Sequence, residues 1–545
     1  MHLLKDPWLT CRSRTGGEQQ ISPLDVGDVE LLDIVALRPD FRGASYQLLI
    51  GLLQLAYAPR DVGQWRERYA SPPSREALAE AFAPYTHAFA LHGDGSAFMQ
   101  DFALVEEANT LSVAELLIDA GSDSNLYFNK PVDAPGFCQS CFAQALFTLQ
   151  INAPSGGRGI RTSLRGGGPL TTLLLPADKS ATLWQKLWLN VLPQDALGYP
   201  AVTELGDVLP WMKATRISEG AAACDTTPES VHPLQAWWSM PRRIRIDPGT
   251  AQAHGVCSLC GAQDVPLIRH YRHRHGGTNY TGTWQHPLTP YYLDKKGEKP
   301  PISSKGHQAG RGYRDWLGLV LGTEDQQPAA ARVVSHFNTE VRQPDVLLWC
   351  FGYATSNMKA LCWYDSTLPV HALAPELLQS FTRSVKQLLD AAEEIAEALS
   401  EQVKKAWFKE LKNKESGNKE KKEKKTAKQW KETKAFIQQS FWQTSEPLFY
   451  RTLARLVQHD FESRTALAQI YRQWLQQAYA QVLELFDQWA LAAPPEDLDM
   501  RSVVEARVHL TKKLNNSQAL KPLWELVNHQ QKKAQAKSRR KEIAA

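Results

Sequence analysis

Residues 136–148 read GFCQSCFAQALFT, and residues 255–263 read GVCSLCGAQ. Four of the chain's 8 cysteines therefore stand as two C-x-x-C pairs, Cys138 with Cys141 and Cys257 with Cys260. Taken alone, each pair admits a redox dithiol, half of a metal site, or two small buried residues. A redox dithiol calls for a thioredoxin-like βαβ pattern, and neither pair has one around it. Zinc takes four ligands in a tetrahedron, and two such pairs supply four thiolates at about 2.3 Å. Gly261, directly after the second pair, eases the turn that a zinc knuckle makes. The 115 residues between Cys141 and Cys257 exceed what a compact zinc ribbon uses. We read the two pairs as one structural zinc site, closed and not catalytic, that staples two distant segments of an N-terminal domain.

A chain of 545 residues is too long for one hydrophobic core, so two or three domains are expected. No run of about 18 apolar residues reads as a membrane span. The opening MHLLKDPWLTCRSRTGG lacks the apolar stretch and small-residue cleavage site of a secretion signal. With so few cysteines, these features point to a reducing, cytoplasmic setting, where C-x-x-C means metal or redox chemistry rather than a disulfide. The net charge of +4 hides a segregation. Residues 404–434 hold 13 Lys against 5 Glu, and residues 532–542 hold 6 basic against 1 acidic side chain, so the rest is mildly acidic.

The chain up to about residue 370 mixes short patterns with many Gly and Pro, which predicts an irregular α+β domain over 1–370. Helices are expected at Leu31 to Leu37 and at Ser45 to Tyr57, and a strand at Leu170 to Leu175. DVLLWCFGYATSNMKALCWYD reads as a hairpin of two apolar strands around a polar tip, Thr355, Ser356 and Asn357. From Ala374 the pattern changes. Leu378, Phe381, Val385, Leu388, Ala392, Ile395 and Leu399 step by three and four along one helix face. Leu467, Tyr471, Trp474, Ala478, Val482, Leu485 and Trp489 do the same. Shorter helical patterns cover Phe449 to Val457 and Val503 to Leu514, so residues 371–545 read as a helical bundle. The lysine-rich stretch KNKESGNKEKKEKKTAKQ, nearly free of apolar residues, reads as an exposed insertion between its helices.

Other chemical motifs are scarce. The chain has no H-E-x-x-H, no G-x-x-x-x-G-K-[ST] and no G-x-S-x-G. RHYRHRHGG, residues 269–277, offers His270, His273 and His275, but interleaved arginines repel a cation, and an anion-facing basic loop suits it better. APSGGRGIRTSLRGGGP, residues 153–169, combines flexible backbone with Arg158, Arg161 and Arg165. Such a loop lets N–H groups and guanidiniums approach phosphates or a narrow groove.

Taken in order, these segments resemble the large subunit family, CasA, of the type I-E Cascade CRISPR surveillance complex. HLLKDPWLTCR, PVDAPGFCQSCFAQALF, NAPSGGRGIRTSLRGGGPLTT, VCSLCG, TWQHPLTPYY and FGYATSNMKAL carry the resemblance, which extends more loosely through the helical C-terminus. It implies a non-enzymatic protein, an α+β domain followed by a four-helix bundle, at one end of a guide-RNA complex. Members recognise a short protospacer-adjacent motif (PAM) in duplex DNA, largely from the minor groove, start strand separation, and recruit a helicase–nuclease. The family's glycine loop falls on Gly156, Gly157, Arg158 and Gly159, and its basic finger near Arg274 and His275. Its wedge falls on Ser356, Asn357 and Met358, and a further loop on Tyr127, Phe128 and Asn129.

Three positions depart from the family pattern. Asn357 stands where a glutamine is expected, Arg or His replaces a finger lysine, and Arg158 occupies a glycine position. The lysine-rich insertion has no family counterpart. These changes leave the expected mechanism in place but detach the PAM sequence from the resemblance. Two other readings compete with it. One is a zinc-dependent hydrolase or nuclease on His270, His273 and His275, which needs an open metal position and a general base. The other is a scaffold whose basic insertion binds RNA without sequence preference.

Overall fold

The computed structural model describes residues 1–93, 95–101, 104, 108–119, 135–154, 157, 159–246, 254–294, 296–306, 312–322, 328–356, 359–407, 419–459, 461, 463–492, 499–528 and 530. The architecture is α+β, with the long helices gathered in the C-terminal part. The chain forms two compact units: Met1–Arg311 with Gly318–Val370, and Gly312–Leu317 with His371–Ala545. None of the described helices is long and apolar enough to cross a membrane.

In the first unit, strands Leu9–Ser13, Glu18–Ile21 and Leu31–Val35 make an antiparallel sheet with the first strand in the middle. Leu31 to Leu37, expected as a helix, is thus a strand. Ile34 and Val35 pair with Cys11 and Thr10, and their β-branched side chains suit a pleated surface. The helix Pro39–Ala56 starts on a proline at its first turn, where no intrahelical N–H is lost. Nearly all of it is buried, which marks it as the core helix of the unit. Gly43 and Gly51 let neighbours close on it. A Cβ on Gly43 would lie 2.6 Å from the Phe351 ring, and one on Gly51 3.2 Å from Trp238.

Against this helix packs Gln139–Asn152, equally buried, which carries the first cysteine pair at its start. The long hairpin Val346–Ser356 and Lys359–Val370 is joined by Thr171–Pro176 into a three-stranded antiparallel sheet, with Val346–Ser356 in the middle. Its strands outrun the sequence expectation and close at Ser356 opposite Lys359. A third sheet pairs Asn109–Ser112 and Arg243–Ile246 with the central strand His270–Arg274. RHYRHRHGG is therefore mostly strand rather than loop. Tyr271 and His273 turn into the core while His270 and Arg274 stay exposed, the alternation that a one-sided strand requires.

The second unit holds helices Pro375–Trp407, Lys419–Val457, Arg464–Ala490 and Met500–Asn515, the first packing against the other three. Phe381, Val385, Leu388, Ala392, Ile395 and Leu399 are fully buried, as the stepping predicts. Leu378, in the first turn, is 41% exposed and stands outside the stripe. The lysine-rich stretch is not simply an insertion. Lys419 onward belongs to the 39-residue helix Lys419–Val457, while 408–418 lie outside the described residues. Further along that helix, Lys434 Nζ meets Glu397 Oε1 at 2.6 Å, and Trp430 stands edge-on to Trp407. Contacts at these two positions give the basic helix its footing on Pro375–Trp407.

Candidate metal centre and nucleic-acid interface

The two cysteine pairs meet. One sulfur from each of Cys138, Cys141, Cys257 and Cys260 lies within 4.8 Å of all the others. Backbone pairing brings them there. Phe137 and Ile268 exchange two hydrogen bonds of 2.9 Å, and Ser258 N–H donates to the Gly136 carbonyl at 3.0 Å. Gly136 has to be small, since a Cβ there would come 2.9 Å from Leu267. On the second pair, Gly261 takes φ +71° and donates its N–H to the Cys257 carbonyl at 2.9 Å, turning Cys260 back toward the cluster.

The donor set suits zinc. A tetrahedron with bonds of about 2.3 Å has edges of about 3.8 Å, and the Cys138 and Cys260 sulfurs are 3.8 Å apart. Cys138 Sγ and Cys141 Sγ stand at the N-terminal end of a 14-residue helix, whose dipole favours thiolates. Cys257 Sγ accepts the Cys138 N–H at 3.2 Å. Hydrogen bonds from the Cys138 and Cys141 thiols hold the Cys257 thiol well below its ordinary range. The same contacts, with Cys138 and then Cys257, and burial push the Cys141 thiol up. A divalent cation would take the place of the thiol protons and neutralise the crowded sulfurs. All four ligands are protein thiolates, so a tetrahedral ion here has no open position. Such a site is structural.

A second constellation forms around residues 157–169. Gly159, at φ +78°, accepts the Gly276 N–H through its carbonyl at 2.9 Å. A Cβ on Gly159 would lie 2.9 Å from Glu219 and 3.0 Å from His275 Cβ, so the loop reaches the end of the basic strand only as glycine. Gly157, at φ +101°, has nothing within 4 Å of its Cβ position and presents open backbone. At the other end, Gly168 takes φ +61°, and a Cβ there would lie 2.6 Å from both Thr355 Cγ2 and the Tyr353 carbonyl. One loop thus spans from Arg274 and His275 to the neck of the long hairpin.

Between these ends the loop is locked by Arg165. Its guanidinium is buried and donates to Thr171 and Gln47 at 2.9 Å and to Thr289 and the Ile151 carbonyl at 3.2 Å. Burial pulls it down to about 10. The Arg165 carbonyl accepts Lys305 Nζ at 2.6 Å and the Ser303 hydroxyl. Arg165 is therefore no phosphate ligand, contrary to the reading of the bare loop; its charge is spent inside. Arg161 is also engaged, donating Nε to Ser218 Oγ at 2.8 Å.

Arg274 and His275 are exposed at the end of their strand. His273 is buried and pushed down to about 4, first by burial and then by Arg242, His275 and Arg243. Strand alternation puts His270 on the face opposite His273, so the three histidines do not converge on one ion. Tyr127, Phe128, Asn129, Gly156, Arg158, Asn357 and Met358 lie outside the described residues, and Ser356 is described only as the end of its strand. Sequence reasoning missed Gly168, Gly276 and the arginines of Arg243–Ile246. The period-two pattern of RIRI was the available signal for the last of these.

Residues 2–485 match the model of the CRISPR-associated protein Cse1 family. Among solved structures, a CasA of Thermus thermophilus superposes with a TM-score of 0.70 at 16% identity, covering 95% of this chain and 100% of that one. Cse1 of Thermobifida fusca gives 0.66 at 17% identity, covering 94% and 98%. A chain of a structure described as a CRISPR RNA-guided surveillance complex gives 0.64 at 16%, covering 94% and 99%. At these identities the structures share the fold, and the family model spanning most of the sequence adds kinship: the chain belongs to the CRISPR-associated Cse1 family, also called CasA.

Proposed function

We propose that this chain is the large subunit of a type I-E Cascade, binding guide RNA and sister subunits, and that it recognises a PAM in duplex DNA and starts its opening. The observation that carries this reading is the convergence on one loop, residues 157–169, of the exposed Arg274 and His275 at one end and the hairpin neck at the other. Open backbone at Gly157 and small residues through the loop suit entry into a minor groove, which offers only a coarse A·T-versus-G·C code. A short degenerate motif is all such a reader can specify, and guide pairing supplies the rest. Gly156, Gly157, Arg158, Gly159, Arg274 and His275 read the motif; Ser356, Asn357 and Met358 wedge beside it; Phe128 and Asn129 assist. The chain works by binding rather than catalysis and hands the opened target to a recruited helicase–nuclease.

The cysteine quartet holds one structural zinc. Bound there, zinc neutralises thiolates and fixes Gln139–Asn152 against the 257–268 segment, and hence the base from which the loop departs. Co-expression with neighbouring genes tests the whole reading. The chain copurifies with a guide RNA, and the complex binds a PAM duplex more tightly than a PAM-free one. An Arg274→Gln, His275→Gln variant loses much of that preference. A complex whose duplex preference is indifferent to this chain would sink the proposal.

A further inference from the structure

Where the loop meets the end of the basic strand, two glycines in left-handed conformation face each other, Gly159 at φ +78° and Gly276 at φ +71°. The side chain of Glu219 lies across both. A Cβ on Gly276 would come 3.0 Å from Glu219 Cβ and 3.2 Å from its Oε2. One on Gly159 would come 2.9 Å from Glu219 Oε1 and 3.2 Å from His275 Nδ1, so a carboxylate and an imidazole converge on one point. Glycine at both positions leaves the room that this acid occupies.

The segment that carries Glu219 is held on both sides. Ser218 donates its N–H to the Gly276 carbonyl at 3.1 Å, and its Oγ accepts Arg161 Nε at 2.8 Å. Past the acid, Gly220 turns the chain at φ +84°, and the Cys224 N–H returns to the Ile217 carbonyl at 2.9 Å. Glu219 itself is exposed, so the backbone fixes its origin and leaves its carboxylate open to a ligand. The carbonyls of the junction are already engaged. That of Gly157 accepts the Ile160 N–H at 3.2 Å, that of Gly159 the Gly276 N–H at 2.9 Å, and that of Gly276 the Ser218 N–H. The Glu219 carboxylate is thus the acceptor that this junction turns outward.

A carboxylate accepts hydrogen bonds and donates none. In the minor groove A·T and T·A pairs present only acceptors, and the single donor is the N2 amino group of guanine. An acceptor-only side chain is therefore repelled by an A·T pair and satisfied by a G·C pair. We propose that Glu219 is a specificity-determining residue of the motif site, accepting a hydrogen bond from the guanine N2 amino group of one G·C pair. This role rests on the function proposed above and supplies one letter of the motif. Arg161, anchored on Ser218, and the strand end at Arg274 and His275 bring positive charge to the junction. That charge offsets the repulsion between a carboxylate and the groove's phosphates.

The test uses the assembled complex and duplexes in which the motif positions are varied one at a time. The parent prefers G·C at one of them. Inosine there, which lacks only the N2 amino group, lowers affinity about tenfold. Diaminopurine paired with thymine, which carries that amino group, binds better than A·T. In Glu219→Ala the guanine-to-inosine ratio at that position falls to about one, while affinity for motif-free duplex rises with the loss of a negative charge. Glu219→Gln, which keeps an acceptor and adds a donor, gives an intermediate ratio and gains on A·T. The ratio compares two duplexes on one protein, so a merely structural change moves both affinities together. A ratio that persists in Glu219→Ala overturns the proposal, since another acceptor then reads the amino group. So does a uniform gain in Glu219→Ala without any effect of inosine, which makes the acid a repulsive guard. A parent with motif preference but no response to inosine at any position defeats this role alone. One with no motif preference defeats the function proposed above and this role with it.

Discussion

At the scale of single residues, the cysteines differ from the rest of the chain in having been specified by spacing alone. C-x-x-C restricts two sulfurs to one turn, and the only open question was whether the pairs meet. They do so because Gly136 and Phe137 pair backbone with Ser258 and Ile268 across more than a hundred residues of chain, which no local pattern announces. Cys260→Ser is expected to lose the metal, lowering zinc from about one per chain to a small fraction, and to destabilise the first unit by more than about 4 kcal/mol. Cys224→Ser, away from the quartet, serves as the control and keeps both; elemental analysis with denaturant unfolding reads the pair. His273 makes a different prediction. Its folded value of about 4 lies below the ordinary value of about 6.5, so on acidification the unfolded chain binds the proton first. The stability linked to it is fully present above about pH 6.5 and is lost as pH falls toward 4, up to about 3 kcal/mol. Urea unfolding of His273→Gln across that window should show a shallower loss than the parent. Equal pH dependence would mean the imidazole is protonated in the fold.

At the scale of elements, periodicity decided correctly where one face is buried along a long segment. The stripe from Phe381 to Leu399 is of that kind, while the middle hairpin strand, buried on both faces, was legible as a continuous apolar run. It failed at Leu31–Val35, where LLDIVAL is too short to tell a helix step from a strand and pairing with Thr10 and Cys11 decides. It failed again at His270–Arg274, where charge concealed the alternation of Tyr271 and His273. The glycine loop was legible as flexible, but its role as a bridge from Gly276 to Thr355 depends on close approaches that only three dimensions reveal. The hairpin carries the prediction at this scale. If Asn357 and Met358 wedge between base pairs beside the PAM, replacing both with Gly removes the group that offsets unstacking, which costs a few kcal/mol. R-loop formation on intact duplex should then slow by at least about tenfold, the equivalent of about 1.4 kcal/mol. A target already unpaired beside the PAM should restore the rate. Equal impairment on closed and pre-opened targets would assign the tip a binding role instead.

At the scale of the whole molecule, the order of segments conveyed the family and the change of pattern near residue 371 conveyed the bundle, but the chain's path between its units was not legible. Gly312–Leu317 leaves the first unit, packs with the helices, and returns at Gly318 before the chain finally departs at His371. GYRDWL has no period that points to helices more than 60 residues away. Its reason is aromatic. Tyr313 stacks on Phe449 at 4.4 Å and shares a 2.7 Å hydrogen bond with Ser445, while Trp316 meets Phe381 edge-on at 6.1 Å. Tyr313 is 1% exposed and Trp316 fully buried, so each fills space that the helices alone would leave empty. Trp316→Ala is therefore expected to destabilise the helical unit by about 3–5 kcal/mol, the range for deleting a large buried aromatic side chain. Tyr313→Phe, which keeps the ring and loses one hydrogen bond while Ser445 Oγ still donates to the Phe441 carbonyl, should cost only about 1 kcal/mol. Far-UV circular dichroism in a denaturant series reports the loss of helix, and zinc content reports the first unit. The expected pattern is an early helical transition in Trp316→Ala with about one zinc per chain retained. Zinc loss together with an unshifted helical transition would mean that this segment supports the metal-bearing unit and not the helices.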